Sequence, residues 1–489
     1  MRRGALAVLA CAVALTAAPA YADSNLHGYA ARTWASLAAM TDPHSGLPAD
    51  VLDADGTASV QTSPTDVGAY MWSAVAAERL GLISRADLRR RMTATVTSLE
   101  HMERYAGTGQ YFNWYDHRTG AKLTAWPPDP SQPFTNWLSS VDDAWLAVGL
   151  KIVRATVPEL ARRAGALYDA MDFGFYYRPD VNRVLFNYQP DDPSASPCCY
   201  DTVVSESRII DYIGIARGQL PDKEYYGRWR SFPDTCDWNW QETRPVGDWR
   251  TYFGVSVFEG AYRYAGMRLV PSWGGSMFEE LMPALFVPEE KLAPASWGLN
   301  HPLTVRAQIH HGLDEAGYGV WGFSPSNTPE GGYGAYGVDG IGMDPNGNPS
   351  NEDHTLVDHG WDDPACPRAA QPDPPPSAYT NGVVTPHAAF LALRYAPAAA
   401  RDDLARLAAR FPGLYGRYGF HDSVNVTTGR VSDSWLSLDQ GMIMAALGNA
   451  LGDDVLRRAF TDPGMARTLH RVVGVERFND SGGAADRAH

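Results

Sequence analysis

Positive charge is scarce in this 489-residue chain: 41 Lys and Arg stand against 56 Asp and Glu, for a formal net charge of -15, and the one basic cluster is Arg89–Arg91. That balance argues against nucleic acid as a partner. Long apolar runs are also missing, because no stretch beyond Ala5–Ala17 approaches the ~20 apolar residues needed to span a bilayer. Cysteine is sparse, with five in all and no Cys-x2-Cys spacing, so a zinc site has little support. The glycine-rich stretch 317–340 has no lysine and no strand-to-helix context, which excludes a phosphate loop on mechanism. No low-complexity linker divides the chain.

The N-terminus reads as a secretory signal: Arg2 and Arg3, the apolar run, then Ala20-Tyr21-Ala22 as a cleavage site. This predicts a secreted, extracellular protein whose mature chain starts at Asp23, with residues 1–22 removed. A lipobox-like Val8-Leu9-Ala10-Cys11 would leave too short an apolar region and ranks below plain secretion. Loss of Cys11 leaves Cys198, Cys199, Cys236 and Cys366, an even number in an oxidising compartment, so two disulfides are expected. Each of the adjacent pair should reach to Cys236 or Cys366, and the pairing is open.

Hydrophobic residues make up 45% of the chain and aromatic ones 11%, with 15 Trp and 24 Tyr, enough for a large core and for flat ring platforms of the kind that pack on sugar C–H faces. Helix-type apolar spacing recurs about a dozen times, at residues 24–40, 66–80, 85–103, 141–157, 158–171, 203–217, 277–286, 303–313, 386–394, 401–411, 438–451 and 453–460. Short strands are expected at 109–115, 173–177 with 183–188, and 419–427. A dozen helices with short β excursions suggest an all-α chain of six antiparallel pairs closed into a ring, occupying residues 23–475 as one domain. The irregular stretch 340–382 is expected to be a functional or mobile loop, and residues 476–489 a disordered tail.

One run organises the rest: Pro271–Phe286, PSWGGSMFEELMPALF, sets Glu279 and Glu280 in an otherwise apolar or tiny context. A helix there is apolar nearly all round, so at least one glutamate is buried with it, and Pro283 offers no N–H to the carbonyl of Glu279. Four further patches carry acids or rings. GQYFNWYD (109–116) offers Asn113, Trp114, Tyr115 and Asp116 as a sugar platform, or equally an ordinary strand with a turn at 116–120. SSVDDAWLAVGL (139–150) places Asp142 at a helix start, where a plain cap is the bland alternative. In CCYDTVVSESRIIDYIGIARG (198–218) a helix would align Glu206 with Ile210 and Ile213, and desolvation there would raise its pKa as a general acid requires. Arg208 is near enough to be its ion-pair partner. GYGVWGFSPSNTPEGGYGAYGVDG (317–340) alternates glycines with Trp321 and Tyr333 and holds Glu330 and Asp339.

Segments 200–221, 272–286, 306–326, 384–395 and 417–451, with SSVDDAWL and YFNWYD upstream, resemble the glycoamylase-like domain family, which includes β-1,2-glucanases and the transglycosylase domain of cyclic β-1,2-glucan synthases. SWGGSMFEELMP is a specific signature of it. The resemblance implies an (α/α)6 barrel acting on glucans, with Glu206 of the S-E-x-R segment as general acid, Glu279 as the signature glutamate and Asp439 at the family's aspartate before Gln-Gly. Two departures stand out: Pro325 where the synthase domains carry a glutamate, and Asn327 near the glucanases' aspartate.

The expectation is therefore a secreted glycoside hydrolase, β-1,2-glucan favoured. Glu206 protonates the leaving oxygen, and the second carboxylate is sought at Glu330, then Asp339, then Glu279. Asn113, Trp114, Tyr115, Asp116, Asp142, Arg208, Trp273, Trp321, Tyr333 and Asp439 contact substrate. No cofactor and no metal are expected; the acidic loop 351–363, with Asp353, His354, Asp358, His359 and Asp362, fits no firm template. The partner is an oligo- or polysaccharide and the protein a monomer. A non-catalytic glycan-binding protein and a transglycosylase are the alternatives, and a polysaccharide lyase is disfavoured by the acidic balance.

Overall fold

The structure is a computed structural model that describes residues 18–231, 244–343, 367, 369, 375–378 and 382–481. Fourteen α-helices stand among the described residues: α1 (Ala18–Met40), α2 (Pro64–Arg79), α3 (Arg85–His101), α4 (Ser140–Thr156), α5 (Ala161–Ala170), α6 (Arg208–Ala216), α7 (Met277–Leu281), α8 (Glu289–Leu292), α9 (Trp297–His310), α10 (Pro386–Leu391), α11 (Pro397–Arg410), α12 (Ser437–Leu451), α13 (Val455–Phe460) and α14 (Pro463–Val473). Six of them contact in a cycle. Helix α2 packs on α4, α4 on α6, α7 on α10, α10 on α12, and α12 returns to α2. Arg208 closes the step from α6 to α7 by hydrogen bonds to the carbonyls of Glu279 and Glu280. Around the cycle, α3 lies against α2, α5 against α4, α14 against α6, α9 against α7, α11 against α10 and α1 against α12.

The inner helices can sit this close because their seams are built from small residues. A Cβ on Gly68 of α2 would stand 2.4 Å from the Trp145 carbonyl of α4, and one on Gly448 of α12 would stand 2.7 Å from Ala76 Cβ of α2. Helix α2 begins at the cap its sequence announces, with Ser63 and Asp66 bonded reciprocally in a capping box. Thirteen of the fifteen residues from Ser437 onward in α12 are hydrophobic, glycine or small polar, and the helix is buried almost throughout, as an apolar helix in a ring of neighbours must be.

Strands are short except for one antiparallel sheet of Val246–Tyr252, Val255–Tyr264 and Met267–Leu269. The sequence reading passed over it, although VSVFEGAYRY carries β-branched and aromatic residues in a tight-turn context. Where a strand is expected at 109–115, Tyr115–Asp116 pairs with Gln61–Thr62, and Tyr111 makes an isolated bridge to Arg104. Residues 173–176 form a 3-10 turn ahead of the strand Tyr177–Arg178. The helix expected from Val203 starts at Arg208, so Glu206 lies in the turn that precedes it.

Two further expectations change. Cys198 and Cys199 are bonded to each other, whereas Cys236 and Cys366 lie outside the described residues. Of the stretch expected as a tail, residues 476–481 are described and pack on the domain: the Glu476 carboxylate is buried on Arg230 and Tyr225, and Phe478 packs on the Trp297 ring. Among the described residues no helix is long and apolar enough to cross a membrane.

Candidate active site

At one end of the helix cycle a cavity of about 450 Å³ opens, lined by Asn113, Trp137, Asp142, Phe186, Cys199, Tyr200, Glu206, Trp273, Phe278, Glu279, Pro325 and Tyr333 among others. Four carboxylates lie in this lining: Asp201 on the segment ahead of Glu206, and Asp142, Glu206 and Glu279, each delivered by a helix start or the turn before it. Glu279 enters from α7, whose cap Ser276 accepts from the Glu279 N–H. Gly274 and Gly275, at φ of 59° and 71°, make the bend that aims this helix inward. A side chain at Gly275 would also collide with the Val338 carbonyl, 2.0 Å from its Cβ. The GG of the signature is thus a backbone requirement.

Helix α7 is short for the reason read in the sequence. It ends at Leu281, and Pro283 opens a 3-10 turn, Pro283–Leu285. Both glutamates are buried, Glu280 completely and Glu279 to 6% exposure. They face opposite ways. Glu280 points into the core, where Asn300 and His301 hold it at 3.0 and 2.6 Å. The Glu279 carboxylate accepts the backbone N–H of Glu206 at 2.6 Å.

Glu206 is held on its other side by Trp145 of α4, whose indole N–H donates to Oε2 at 2.5 Å. Burial pushes the Glu206 carboxyl well above the ordinary carboxylate range, and the neighbouring charges of Glu279 and Asp142 add to it, against the opposing pull of Trp145 and Arg208. Burial likewise raises Glu279 to about 7, while the Glu206 N–H, Ser205 and Arg208 pull the other way.

The Asp142–Asp143 pair splits. Asp143 is wholly buried and accepts from Tyr111 N–H and Tyr176 O–H, at 2.9 and 2.6 Å. Asp142 faces the cavity. Thr65 O–H donates to it at 2.6 Å, and the Asn113 amide, oriented to satisfy both neighbours, donates to it at 3.0 Å while accepting from the Trp114 indole at 3.0 Å. Burial raises Asp142, offset by its hydrogen bonds to Ser139 and Thr65.

A second group of carboxylates lies nearby, and sequence reading named only one of them. Asp439 is buried beside His387, with 3.2 Å between oxygen and nitrogen. Asp422 accepts from Leu436 N–H at 2.9 Å and from the Asn327 amide at 3.0 Å. Asp50 is raised to about 6, first by burial and then by the charges of Asp142 and Asp439. Asn327 thus supplies a neutral donor to Asp422, where an aspartate would add a further charge. The signal for Asp422 was present in RYGFHDSVNV, but nothing in the pattern marked its side chain as inward.

Of the residues expected at the site, the cavity lining brings together Asn113, Asp142, Glu206, Trp273, Glu279 and Tyr333. The others fall elsewhere. Glu330 is exposed at the tip of the hairpin that pairs Ser326–Asn327 with Tyr333–Gly334, away from the lining. Asp339 is buried in a 3-10 turn behind the cavity wall. Arg208 is wholly buried against Glu289 and so cannot meet a substrate from the cavity. Trp321 is wholly buried in the core, its backbone N–H bonded to Asp403. Tyr115 is buried with its hydroxyl on the Glu103 carbonyl, Trp114 stacks edge-on with Trp126, and Asp116 caps the turn at 116–120. Sequence reading missed Trp137, Trp145, Phe186 and Tyr200. The acidic loop 351–363 lies outside the described residues.

Residues 243–463 match the Glycoamylase family model, described as "Putative glucoamylase", and residues 28–174 match a family of unknown function, DUF3131. The cyclic β-(1,2)-glucan synthase NdvB of Rhizobium meliloti is 27% identical over 392 residues, which are 78% of this chain and 11% of the synthase. The chain thus spans about a tenth of that relative's length. Among solved structures, a "putative glucoamylase" of Bacteroides uniformis superposes with a TM-score of 0.67 at 16% identity, covering 92% of this chain and 97% of that one. The endo-β-1,2-glucanase of Chitinophaga pinensis, in complex with sophorotriose and glucose, does so with 0.65 at 18%, covering 93% and 98%. The β-1,2-glucanase of Parabacteroides distasonis gives 0.63 at 17%, covering 92% and 60%. At such identities the likeness is one of fold. The signature run Pro271–Phe286 lies inside the segment that matches the Glycoamylase model, and the chain shares the fold of these solved structures.

Proposed function

We propose that this protein is a secreted glycoside hydrolase that cuts a glucan of the β-1,2 type, built on an (α/α)6 barrel whose inner ring is the cycle of six helices. The observation that carries the reading is Glu206: a carboxyl group in a cavity, bonded through its own backbone to a second carboxylate, with burial pushing it well above the ordinary carboxylate range. A carboxyl shifted in that direction is suited to act as a general acid. It gives its proton to the glycosidic oxygen as the C–O bond breaks, and water takes the anomeric carbon while losing a proton to a second carboxylate.

Asp142 is assigned that second role. It lines the same cavity, and its donors Thr65 and Asn113 favour the ionised form. Glu279 is bonded to the backbone of the acid itself, and so acts on Glu206 as a neighbour. Trp137, Phe186, Tyr200 and Trp273 offer ring surfaces for sugar faces in the lining. The glucan type rests on the family resemblance and on the β-1,2-glucanases that share the fold.

The test is release of reducing ends by the protein lacking residues 1–22, from linear β-1,2-glucan beside β-1,3- and β-1,4-glucans and α-glucans. Release from the first supports the reading; release only from another glucan moves the substrate. Binding without release anywhere contradicts a hydrolase. Azide added to Asp142→Ala identifies the second carboxylate: recovered turnover places it at Asp142, and recovery only in Asp422→Ala places it there instead.

A further inference from the structure

Behind the cavity wall lies a wholly buried group of charges that no substrate can touch. The Arg208 guanidinium reaches five oxygens on three segments: Nη1 donates to the carbonyls of Ser205 and Glu279, at 2.9 and 2.7 Å, Nη2 to the carbonyl of Glu280 and to Glu289 Oε2 at 3.0 Å, and Nε to Glu289 Oε1 at 2.7 Å. Its plane lies over the Trp297 ring, 4.3 Å from the centroid. His301 bridges Glu280 and Glu289 at 2.6 and 3.3 Å, and Tyr212 O–H donates to Glu289.

Two of those carbonyls are the ones Pro283 sets free. In an unbroken helix the Glu279 carbonyl would accept from residue 283, which is proline and has no N–H, and the 3-10 turn that follows takes Glu280 out of the α pattern as well. Arg208 occupies both positions, and its third bond holds the residue just before Glu206. A planar fork with several fixed donors suits this geometry, and the single ammonium of lysine does not.

We propose that Arg208, anchored by Glu289 and His301, is the positioning residue of this active site: it fixes the turn carrying Glu206 and the helix carrying Glu279 in one rigid relation. The proposal rests on the glycoside hydrolase reading for its catalytic consequence, though the geometry stands without it. Besides holding position, the guanidinium pulls the pKa of both carboxyls down, against the burial that raises them. The other groups set against Glu206 are the carboxyls of Glu279 from α7 and Asp142 from α4, the Trp145 indole N–H from α4, and the phenols of Tyr200 and Tyr333 in the same lining.

Removal of one member of a buried ion pair strands the other charge, so the informative variant is the double substitution Arg208→Met with Glu289→Leu, which removes both together. Two readouts are made on it, after circular dichroism shows it folded. In turnover of β-1,2-glucan, kcat falls about 100-fold while KM stays within about threefold, since the substrate surface is untouched. In the 1H–15N spectrum, the Trp145 indole signal, assigned with Trp145→Phe, reports ionisation of the carboxyl it donates to; its midpoint moves to higher pH by about one unit. Arg208→Lys keeps the charge and loses the fork, so kcat falls with little movement of the midpoint. A folded double variant with wild-type kcat and an unmoved midpoint overturns the proposal, and so does a fully active Arg208→Lys if the double variant fails to fold. Should the wild type cut no glycan, the hydrolase reading fails on its own, and the indole midpoint still decides whether Arg208 governs Glu206.

Discussion

The backbone N–H of Glu206 donates to the side chain of Glu279 at 2.6 Å. One carboxylate thus fixes the main chain of the other, and each affects the other's charge. Glu279 raises Glu206, so Glu279→Gln, which keeps the acceptor oxygen and removes the charge, lowers the pKa of the proton donor. The alkaline limb of the kcat/KM profile on β-1,2-glucan then moves to lower pH by about one unit. An unmoved limb would show that the two do not interact as described.

The same raised carboxyl carries a stability consequence. Glu279 titrates near 7 in the folded chain against an ordinary 4.5. Between those values the folded state binds the extra proton, so its contribution to stability is present below 4.5 and is lost as pH rises through about 7. The interval of about 2.5 units corresponds to roughly 3 kcal/mol. Glu279→Gln removes this dependence, so it should gain on the wild type by up to that amount between pH 5 and pH 8, as measured by urea unfolding at the two values. A constant difference would contradict the burial cost assigned to this side chain.

Ring contacts predict a different kinetic pattern. Phe186 is 50% exposed and Trp273 half-buried, both along the cavity lining. Removing either ring by Phe186→Ala or Trp273→Ala should raise KM about tenfold, the value of roughly 1.4 kcal/mol of lost sugar stacking, and change kcat little. Steady-state kinetics on graded oligosaccharides measures this.

Glu330 supplies the contrast. It is exposed at a hairpin tip and outside the cavity lining, so Glu330→Gln should leave kcat and KM within about twofold of wild type. A loss comparable to that of the acid would return Glu330 to the chemistry.

Much of this arrangement was legible in the sequence, and what was not has physical reasons. Helix periodicity and the break at Pro283 reappear in the structure, where Ser63 and Ser84 cap α2 and α3, because each of these features is decided by residues within a turn of one another. The burial of both signature glutamates follows from the apolar surroundings of the run. Their opposite facing does not, since it depends on Asn300 and His301 twenty residues on and on a turn seventy residues before. Arg208 looked like a substrate ligand because it is two residues from Glu206. On α6 those two residues turn it to the other side of the wall. Glu330 and Trp321 share a glycine-rich stretch with Tyr333, and composition could not tell which of the three meets the cavity. Asp422 and Asp50 join the acidic group only through the packing of distant segments.

The account turns on Glu206 as proton donor, and the direct measurement is the rate of reducing-end release from linear β-1,2-glucan by wild type and by Glu206→Gln, at the pH optimum of the wild type. The predicted result is a folded variant slowed at least about 10³-fold, within the range that general acid catalysis supplies. A variant that keeps a rate within about tenfold of wild type would contradict the assignment and require the acid to be sought elsewhere in the cavity.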